Sequence, residues 1–402
     1  MPIRYTHRFD DFLNSTYDFV LNHKGILLRM NKISIPQHVE KLLQSTGITI
    51  GGQQPWDIQI HNNAFYQRVI NRGALGLGEA YIEKWWDCQQ LDEFFNRILR
   101  AELDTKVGQP LQSFFKKVLA KIINFQSKKY AKLVGKKHYD LGNALFKAML
   151  DKRMVYSCGY WKSAQNLEEA QLSKLDLICQ KLQLKPGLRL LDIGCGWGGL
   201  AKYAAEQYGV HVVGITISQQ QYEYAKEYCK GLPIEIRLQD YRDIHDTFDR
   251  IVSVGMFEHV GHTNYDIFIQ KTHRHLTEEG LFLVHTIGVN LTNSFVNDWI
   301  IKYIFPNGML PSIAQIAKAT EKFFVMEDWH SFGAYYDNTL IAWYKNFIRH
   351  WEELKLIYDE RFYRMWTYYL LSCAGSFRAR SIQLWQIVFS KHGIVGGYVA
   401  PR

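Results

Sequence analysis

A glycine-rich turn between an apolar strand and a helix constrains this chain most. Residues 188–193 read as a buried strand, followed by four glycines, Gly194, Gly196, Gly198 and Gly199. A helical pattern then covers 198–208. The alternation continues with a strand over 210–217, a helix over 219–230, and strands over 234–238, 248–254 and 281–287. Such alternation predicts an α/β fold with a doubly wound, mostly parallel sheet. Ligands in that architecture bind at the carboxyl ends of the strands. No internal repeat or low-complexity segment interrupts the pattern.

Glycines at a strand–helix junction let the backbone turn tightly and approach a ligand. The helix N-terminus behind them suits an anionic group. Gly194, Gly196 and Gly199 satisfy the GxGxxG spacing of dinucleotide sites, a weak signal alone. The frame LLDIGCGWGG, with Asp192 ahead of the first glycine, resembles the first motif of class I methyltransferases. There the glycines accommodate the methionyl part of S-adenosylmethionine. Such enzymes usually place an acid after the second strand, for the ribose. Here that stretch reads VVGITISQQQ, so Thr216 and Gln221 are the candidates for that role. Asp240 and Tyr241, after the third strand, are placed near the adenine.

The chain has 402 residues, enough for one large or two modest domains. Its net charge of +9 favours anionic partners without choosing among nucleic acid, lipid headgroups and metabolites. The six cysteines form no CxxC pair and read as reduced thiols of a cytoplasmic protein. The first residues, MPIRYTHRFDDF, lack an apolar signal core, and no apolar run is long enough to span a bilayer. Between Lys106 and His138 there is no Asp or Glu, and lysines alternate with apolar residues at helical spacing. This basic segment reads either as a solvated linker or as a contact with an anionic membrane surface. The expected division is a smaller, mostly helical N-terminal domain over 1–105, a basic linker helix over 106–135 and a catalytic domain over 136–402.

Further stretches narrow the family. In order they are KHYDLGN (137–143), YSCGYW (156–161), QDYRD (239–243), VGMFEHV (254–260), HTIG (285–288), YIFPNG (303–308), EDWH (327–330) and FRARSIQLWQ (377–386). With the glycine loop, they closely resemble the bacterial cyclopropane-fatty-acyl-phospholipid synthases, densely over about 130–395. The mycobacterial mycolic-acid cyclopropane synthases share the core but generally lack such an N-terminal domain. The resemblance implies transfer of a methylene from S-adenosylmethionine to the cis double bond of unsaturated phospholipid acyl chains. It implies a carbocation that loses a proton to bound bicarbonate. The bicarbonate is placed against Cys158, Glu258, His285, the Ile287 backbone and Tyr336. Tyr156 and Ser157 are placed at the cofactor. A homodimer at the inner face of the membrane is implied as well.

Other readings are weaker. A nucleic-acid methyltransferase would carry an aromatic-proline motif where this chain reads VGMFEHVG, so no nucleic-acid partner is expected. Glu258-His259-Val-Gly-His262 is not HExxH, and no metal is expected. Arg378 and Arg380 suit a lipid phosphate or ordinary salt bridges. Phe257, Trp299, Tyr303, Phe305, Trp329, Tyr335 and Tyr336 are candidates to face a cation, or plain core.

Overall fold

The computed structural model describes residues 35–103, 142–292 and 297–402. The basic segment over 106–135 and residues 137–141 of the KHYDLGN motif lie outside the described residues.

The described N-terminal part is mostly helical. It comprises α1 (Ile35–Gln44), β1 (Gln59–Ile60), α2 (Ala64–Ile82), β2 (Trp86–Asp87) and α3 (Leu91–Arg100). β1 and β2 pair antiparallel. α3 buries Leu91, Phe94 and Phe95 on one face. Its Asp92 and Glu93 open the helix while Arg97 and Arg100 close it, which complements the helix dipole. α2 kinks at Gly73, where φ is 52° and ψ is −133°.

The remainder runs α4 (Asn143–Met149), α5 (Leu167–Lys181), β3 (Arg189–Ile193), α6 (Gly199–Tyr208), β4 (His211–Thr216), α7 (Gln219–Tyr228), β5 (Ile234–Leu238) and β6 (Phe248–Val254). Then follow α8 (Tyr265–His275), β7 (Leu276–Gly288), α9 (Asp298–Tyr303), α10 (Ile313–Thr320), β8 (Val325–Ser331), α11 (Ala334–Arg349), α12 (Trp351–Leu354), α13 (Glu360–Arg378) and β9 (Gln383–Ser390). Seven strands form one sheet in the order β5-β4-β3-β6-β7-β9-β8. The first five are parallel, as the alternation predicts. β9 enters antiparallel between β7 and β8. Sequence reasoning missed β8 and β9, and began β7 five residues late. Every residue of β9 is buried, so it has no alternation to read.

Two apolar layers cover the sheet faces, one around Leu191, Ile251, Phe268, Phe282 and Ile387, the other around Leu175, Ile178, Leu190, Ala204 and Leu283. A third core joins the N-terminal part to the rest of the described protein: Trp86, Phe94 and Tyr81 pack with Trp299, Trp343, Trp366 and Tyr368. Close approach depends on glycine. A Cβ on Gly375 of α13 would lie 2.4 Å from the Asp92 carbonyl of α3. Arg378 ends α13 and binds Asp337 at 2.9 Å, Asp92 at 2.6 Å and Glu93 at 3.2 Å. Arg380 donates to Gln383 at 2.7 Å. Of the two readings open for Arg378, the geometry is that of a structural salt bridge.

A Cβ on Gly78 of α2 would lie 2.4 Å from the ring of the fully buried Trp299. Gly78→Ala is therefore expected to cost about 1–3 kcal/mol of stability through overpacking. A lower urea midpoint at unchanged slope is the predicted result; an unchanged midpoint contradicts it.

Candidate active site

One cavity opens where β3, β4, β5 and β6 end. All nine residues expected at the cofactor line it: Tyr156, Ser157, Asp192, Gly194, Gly196, Thr216, Gln221, Asp240 and Tyr241. The loop after β3 is pinned to β4, because the Gly194 and Cys195 N–H groups both donate to the Ile215 carbonyl, at 2.9 and 3.0 Å. Gly194 has φ of 85°, and a Cβ there would also lie 2.9 Å from Met256. Only glycine meets both conditions cheaply. Asp192 is buried, and its Oδ2 has no hydrogen-bond partner among the described residues. Burial pushes its pKa up to about 7, against the pull of the Lys174 charge.

Thr216 and Gln221 hold each other. The Thr216 hydroxyl donates to Gln221 Oε1 at 2.8 Å, and Ser218 caps α7 by accepting from the Gln221 N–H. That pair occupies the place after the second parallel strand where the methyltransferase resemblance led an acid to be expected. Because Oε1 of Gln221 is engaged, its amide NH2 is the group left for a ligand hydroxyl. Asp240 is more constrained than the sequence indicated. Its carboxylate accepts from Arg242 Nε at 2.7 Å, from the second guanidinium nitrogen at 2.7 Å and from the Arg242 N–H at 2.9 Å. Any adenine amine would share those oxygens. The Tyr156 hydroxyl lies 2.8 Å from that of Tyr369, and Ser157 Oγ accepts from Lys174 Nζ at 2.9 Å.

Lys174, Trp197 and Arg242 also line the cavity and were not singled out from sequence. Lys174 lies mid-helix, where sequence offers nothing to separate it from a solvated lysine. Arg242 had a signal in its spacing, two residues after Asp240 in a turn.

The five residues placed at the bicarbonate lie outside that lining. Glu258 lies beyond β6, on a 3-10 turn, Phe257–His259. It is 7% exposed, and its Oε1 accepts from the Ile287 N–H at 2.7 Å. The Ile287 amide expected to face an anion is thus engaged with Glu258. Glu258 Oε2 has no hydrogen-bond partner among the described residues. Burial raises the pKa of Glu258 to about 7, opposed by the Ile287 N–H and by the nearby Thr286 hydroxyl. That hydroxyl itself donates to the Ile287 carbonyl at 3.0 Å.

His285 and Ile287 are two apart on β7, so their side chains share a face. His285 is 1% exposed, and burial, with the Lys174 and Lys181 charges, holds its pKa well below the ordinary range. The ring is therefore neutral. Gln386, its register partner on β9, donates to Nδ1 at 3.2 Å, which assigns the ring proton to Nε2. Nε2 is buried and has no partner among the described residues. Cys158 is fully buried beside Thr339, whose hydroxyl lies 3.8 Å from its sulfur, and burial pushes the thiol up. Tyr336 stacks on Phe377, and burial raises its hydroxyl pKa well above the usual value, with smaller contributions from Cys158, Glu258 and Tyr156.

Among the remaining candidates, His259 packs against Phe305, and His262 Nδ1 lies 2.9 Å from the Met309 sulfur. Phe257 stacks on Tyr265 in the core, and Trp329 packs on Trp385. Of the seven aromatic candidates, Phe305 alone lines the cavity.

A carboxyl whose folded pKa is raised loses stability as pH climbs from its unfolded value, near 4.5, through about 7. Glu258→Gln removes that penalty. Relative to the parent, the variant is expected to gain up to about 3 kcal/mol between about pH 5 and about pH 8. Denaturation at both pH values checks this; a difference independent of pH contradicts it.

The family model described as mycolic acid cyclopropane synthetase matches residues 126–387. Cyclopropane-fatty-acyl-phospholipid synthase of Escherichia coli K12 is 55% identical over 378 residues, which cover 93% of this chain and 99% of that protein. Cyclopropane mycolic acid synthase 3 of Mycobacterium tuberculosis is 36% identical over 260 residues, 60% of this chain and 91% of the relative. A crystal structure of mycolic acid cyclopropane synthase CmaA1 complexed with SAH and CTAB superposes with a TM-score of 0.62 at 32% identity, covering 65% of this chain and 98% of that one. An α/β sheet of class I methyltransferase type, a cavity at its strand ends and these likenesses converge: the chain belongs to the mycolic acid cyclopropane synthetase family and is an S-adenosylmethionine-dependent enzyme of lipid cyclopropanation.

Proposed function

We propose that the substrate is the cis double bond of an unsaturated phospholipid acyl chain, and that a methylene is added across it with ring closure. Likeness to the Escherichia coli synthase along nearly the whole chain supports this choice over free or mycolic acids. The observation that carries the site reading is the pair of unpartnered, buried polar atoms, Glu258 Oε2 and His285 Nε2, among aromatic side chains.

The chemistry needs a dry site. An alkene is a weak nucleophile with no proton to lose first, so the enzyme must align it with the sulfonium methyl and exclude water. Methyl transfer leaves a carbocation on the chain, and a proton must then leave the new methyl for the ring to close. Bicarbonate, when bound, supplies the base for that proton. The residues fit such a group. Neutral His285 offers an Nε2–H donor and Tyr336 an O–H donor, while the Cys158 S–H donates to the Gly159 carbonyl at 3.2 Å and would turn to the anion only by leaving it. Glu258 Oε2 is the acceptor, and the Ile287 N–H holds that carboxylate from behind. Glu258 accepting the hydroxyl proton of the anion would stop it from turning. Two adjacent anions repel, and a carboxyl titrating at about 7 lessens that cost.

Tyr156, Ser157, Thr216, Gln221, Asp240 and Tyr241 hold the methyl donor in this reading, with the 194–199 loop at its methionyl end. Residues 1–105 engage the bilayer, the basic segment over 106–135 meets its anionic surface, and the enzyme works as a homodimer at the inner face. None of the helices among the described residues is long and apolar enough to cross a membrane.

Purified protein with vesicles of cis-unsaturated phospholipid, S-adenosylmethionine and bicarbonate tests the reaction, with acyl chains analysed by mass spectrometry. The expected product gains one CH2 per chain, loses its double bond and survives mild hydrogenation. Glu258→Gln is expected to lower turnover by about 10²–10⁴-fold. A gain with the alkene retained contradicts ring closure. Reversing the charges of Lys128, Lys129 and Lys132 is expected to weaken binding to anionic vesicles at low salt; unchanged binding contradicts the surface role of that segment.

A further inference from the structure

One buried cation in the cofactor cavity is unused by the chemistry above. Lys174, in the middle of α5, is 1% exposed and lines the cavity. Its Nζ donates to Ser157 Oγ at 2.9 Å, and it has no ion-pair partner among the described residues. The other fully buried lysine of the same helix is handled differently. Lys181 pairs with Asp328 at 2.9 Å, and Asp328 is held in turn by Arg402. Lys181 is a satisfied structural pair. Lys174 makes no salt bridge among the described residues; the buried carboxyls of Asp151 and Asp192 offset part of its charge, and an anion in the cavity would offset the rest. Burial lowers its pKa to about 8, which leaves it mainly protonated at neutrality.

The hydrogen bond to Ser157 has a direction. An ammonium has donors only, so Ser157 Oγ must be the acceptor. The Ser157 hydroxyl proton therefore points away from Lys174, and Ser157 itself lines the cavity. Gln171, three residues before Lys174 and on the same helix face, is fully buried and donates to the Ser157 carbonyl at 2.8 Å. α5 thus grips the 155–157 loop from its buried side with two polar side chains. The buried Oδ2 of Asp192, without a partner, lines the same cavity. The cavity therefore holds an opposite-charge set matching an amino acid zwitterion, an ammonium for Asp192 and a carboxylate for the Lys174–Ser157 unit.

We propose that Lys174, acting through the Ser157 hydroxyl, is the positioning residue that selects the carboxylate of the methionyl end of S-adenosylmethionine. The proposal rests on the reading that this end of the cavity takes the methionyl group. It adds a residue outside the glycine loop, and it explains the burial of a lysine beside a serine.

The test compares two ligands by calorimetry: S-adenosylhomocysteine and its decarboxylated analogue. Lys174→Met and Ser157→Ala are each expected to weaken the first about tenfold or more, as for a lost hydrogen bond to a charged group. The analogue should change less than about twofold, and the double variant should be no weaker than Lys174→Met alone, because the two residues act as one unit. Equal weakening of both ligands would make Lys174 a merely structural residue and overturn the proposal, as would unchanged affinity for the first. Lys174→Gln serves as a second variant, and the binding stoichiometry reports the folded fraction, so misfolding does not imitate a change in the affinity ratio. Asp240→Ala separates the underlying site reading. Weakening of both ligands alike keeps the cavity as the cofactor site whatever Lys174 does; no effect on either removes that reading itself.

Discussion

The hydrogen bond from the Ile287 N–H to Glu258 Oε1 is the interaction on which the catalytic reading depends. It ties the turn after β6 to the end of β7. Sheet register prepares it: Val254 pairs with His285, and the Gly255 N–H donates to the His285 carbonyl at 2.9 Å. The Met309 N–H closes the other side by donating to the Glu258 carbonyl at 2.9 Å. Those bonds hold a carboxyl where water would otherwise solvate it. One backbone donor offsets only part of the desolvation cost, and the remainder is stored as a raised pKa. The same burial that weakens the fold places the carboxyl near neutrality, where it can hold or release a proton.

Polar groups in this protein are buried in two ways. Lys181, Asp328 and Arg402 satisfy one another, and Tyr398 adds a bond to the Lys181 carbonyl at 2.7 Å, which fastens the C-terminal segment to α5. Asp192, Lys174, Glu258 and His285 each bury a charge or a ring nitrogen that lacks a full complement of partners. The first arrangement is finished in the protein alone. In the proposed reading ligands finish the second: Asp192 and Lys174 line the cavity, and Glu258 and His285 lie beyond its lining. The large aromatic core around Trp299, Trp343, Trp366 and Tyr368 joins the N-terminal helices to the rest of the described protein.

Much of this was legible in the residues, for identifiable reasons. The five parallel strands announce themselves through apolar or alternating runs bounded by turns, although the charged start of β7 hid its first five residues. β9 does not, since an antiparallel strand buried on both faces has no period that separates it from a helix. Seven of the nine residues expected at the cofactor lie at or just after the ends of β3, β4 and β5, which the α/β pattern locates; Tyr156 and Ser157 lie in the loop before α5 and were legible only through the family resemblance. Lys174 was invisible because helix periodicity places it but says nothing about which lysines are dry. The engagement of the Ile287 N–H by Glu258 was equally hidden, because a backbone donor carries no sequence identity and its partner lies 29 residues away. Likewise, whether Arg378 meets a phosphate or carboxylates depends on Asp92 and Asp337, which the fold brings together from far apart in the chain.

The account turns on Glu258 and His285 building a site for an anion that accepts a proton. The most direct measurement is turnover on unsaturated phospholipid vesicles in buffer stripped of carbon dioxide, with bicarbonate then added in steps, for the parent and for His285→Ala. Saturable dependence in the parent, shifted to higher bicarbonate in the variant, is the predicted result. Full turnover of the parent in stripped buffer, unchanged by added bicarbonate, would contradict the account.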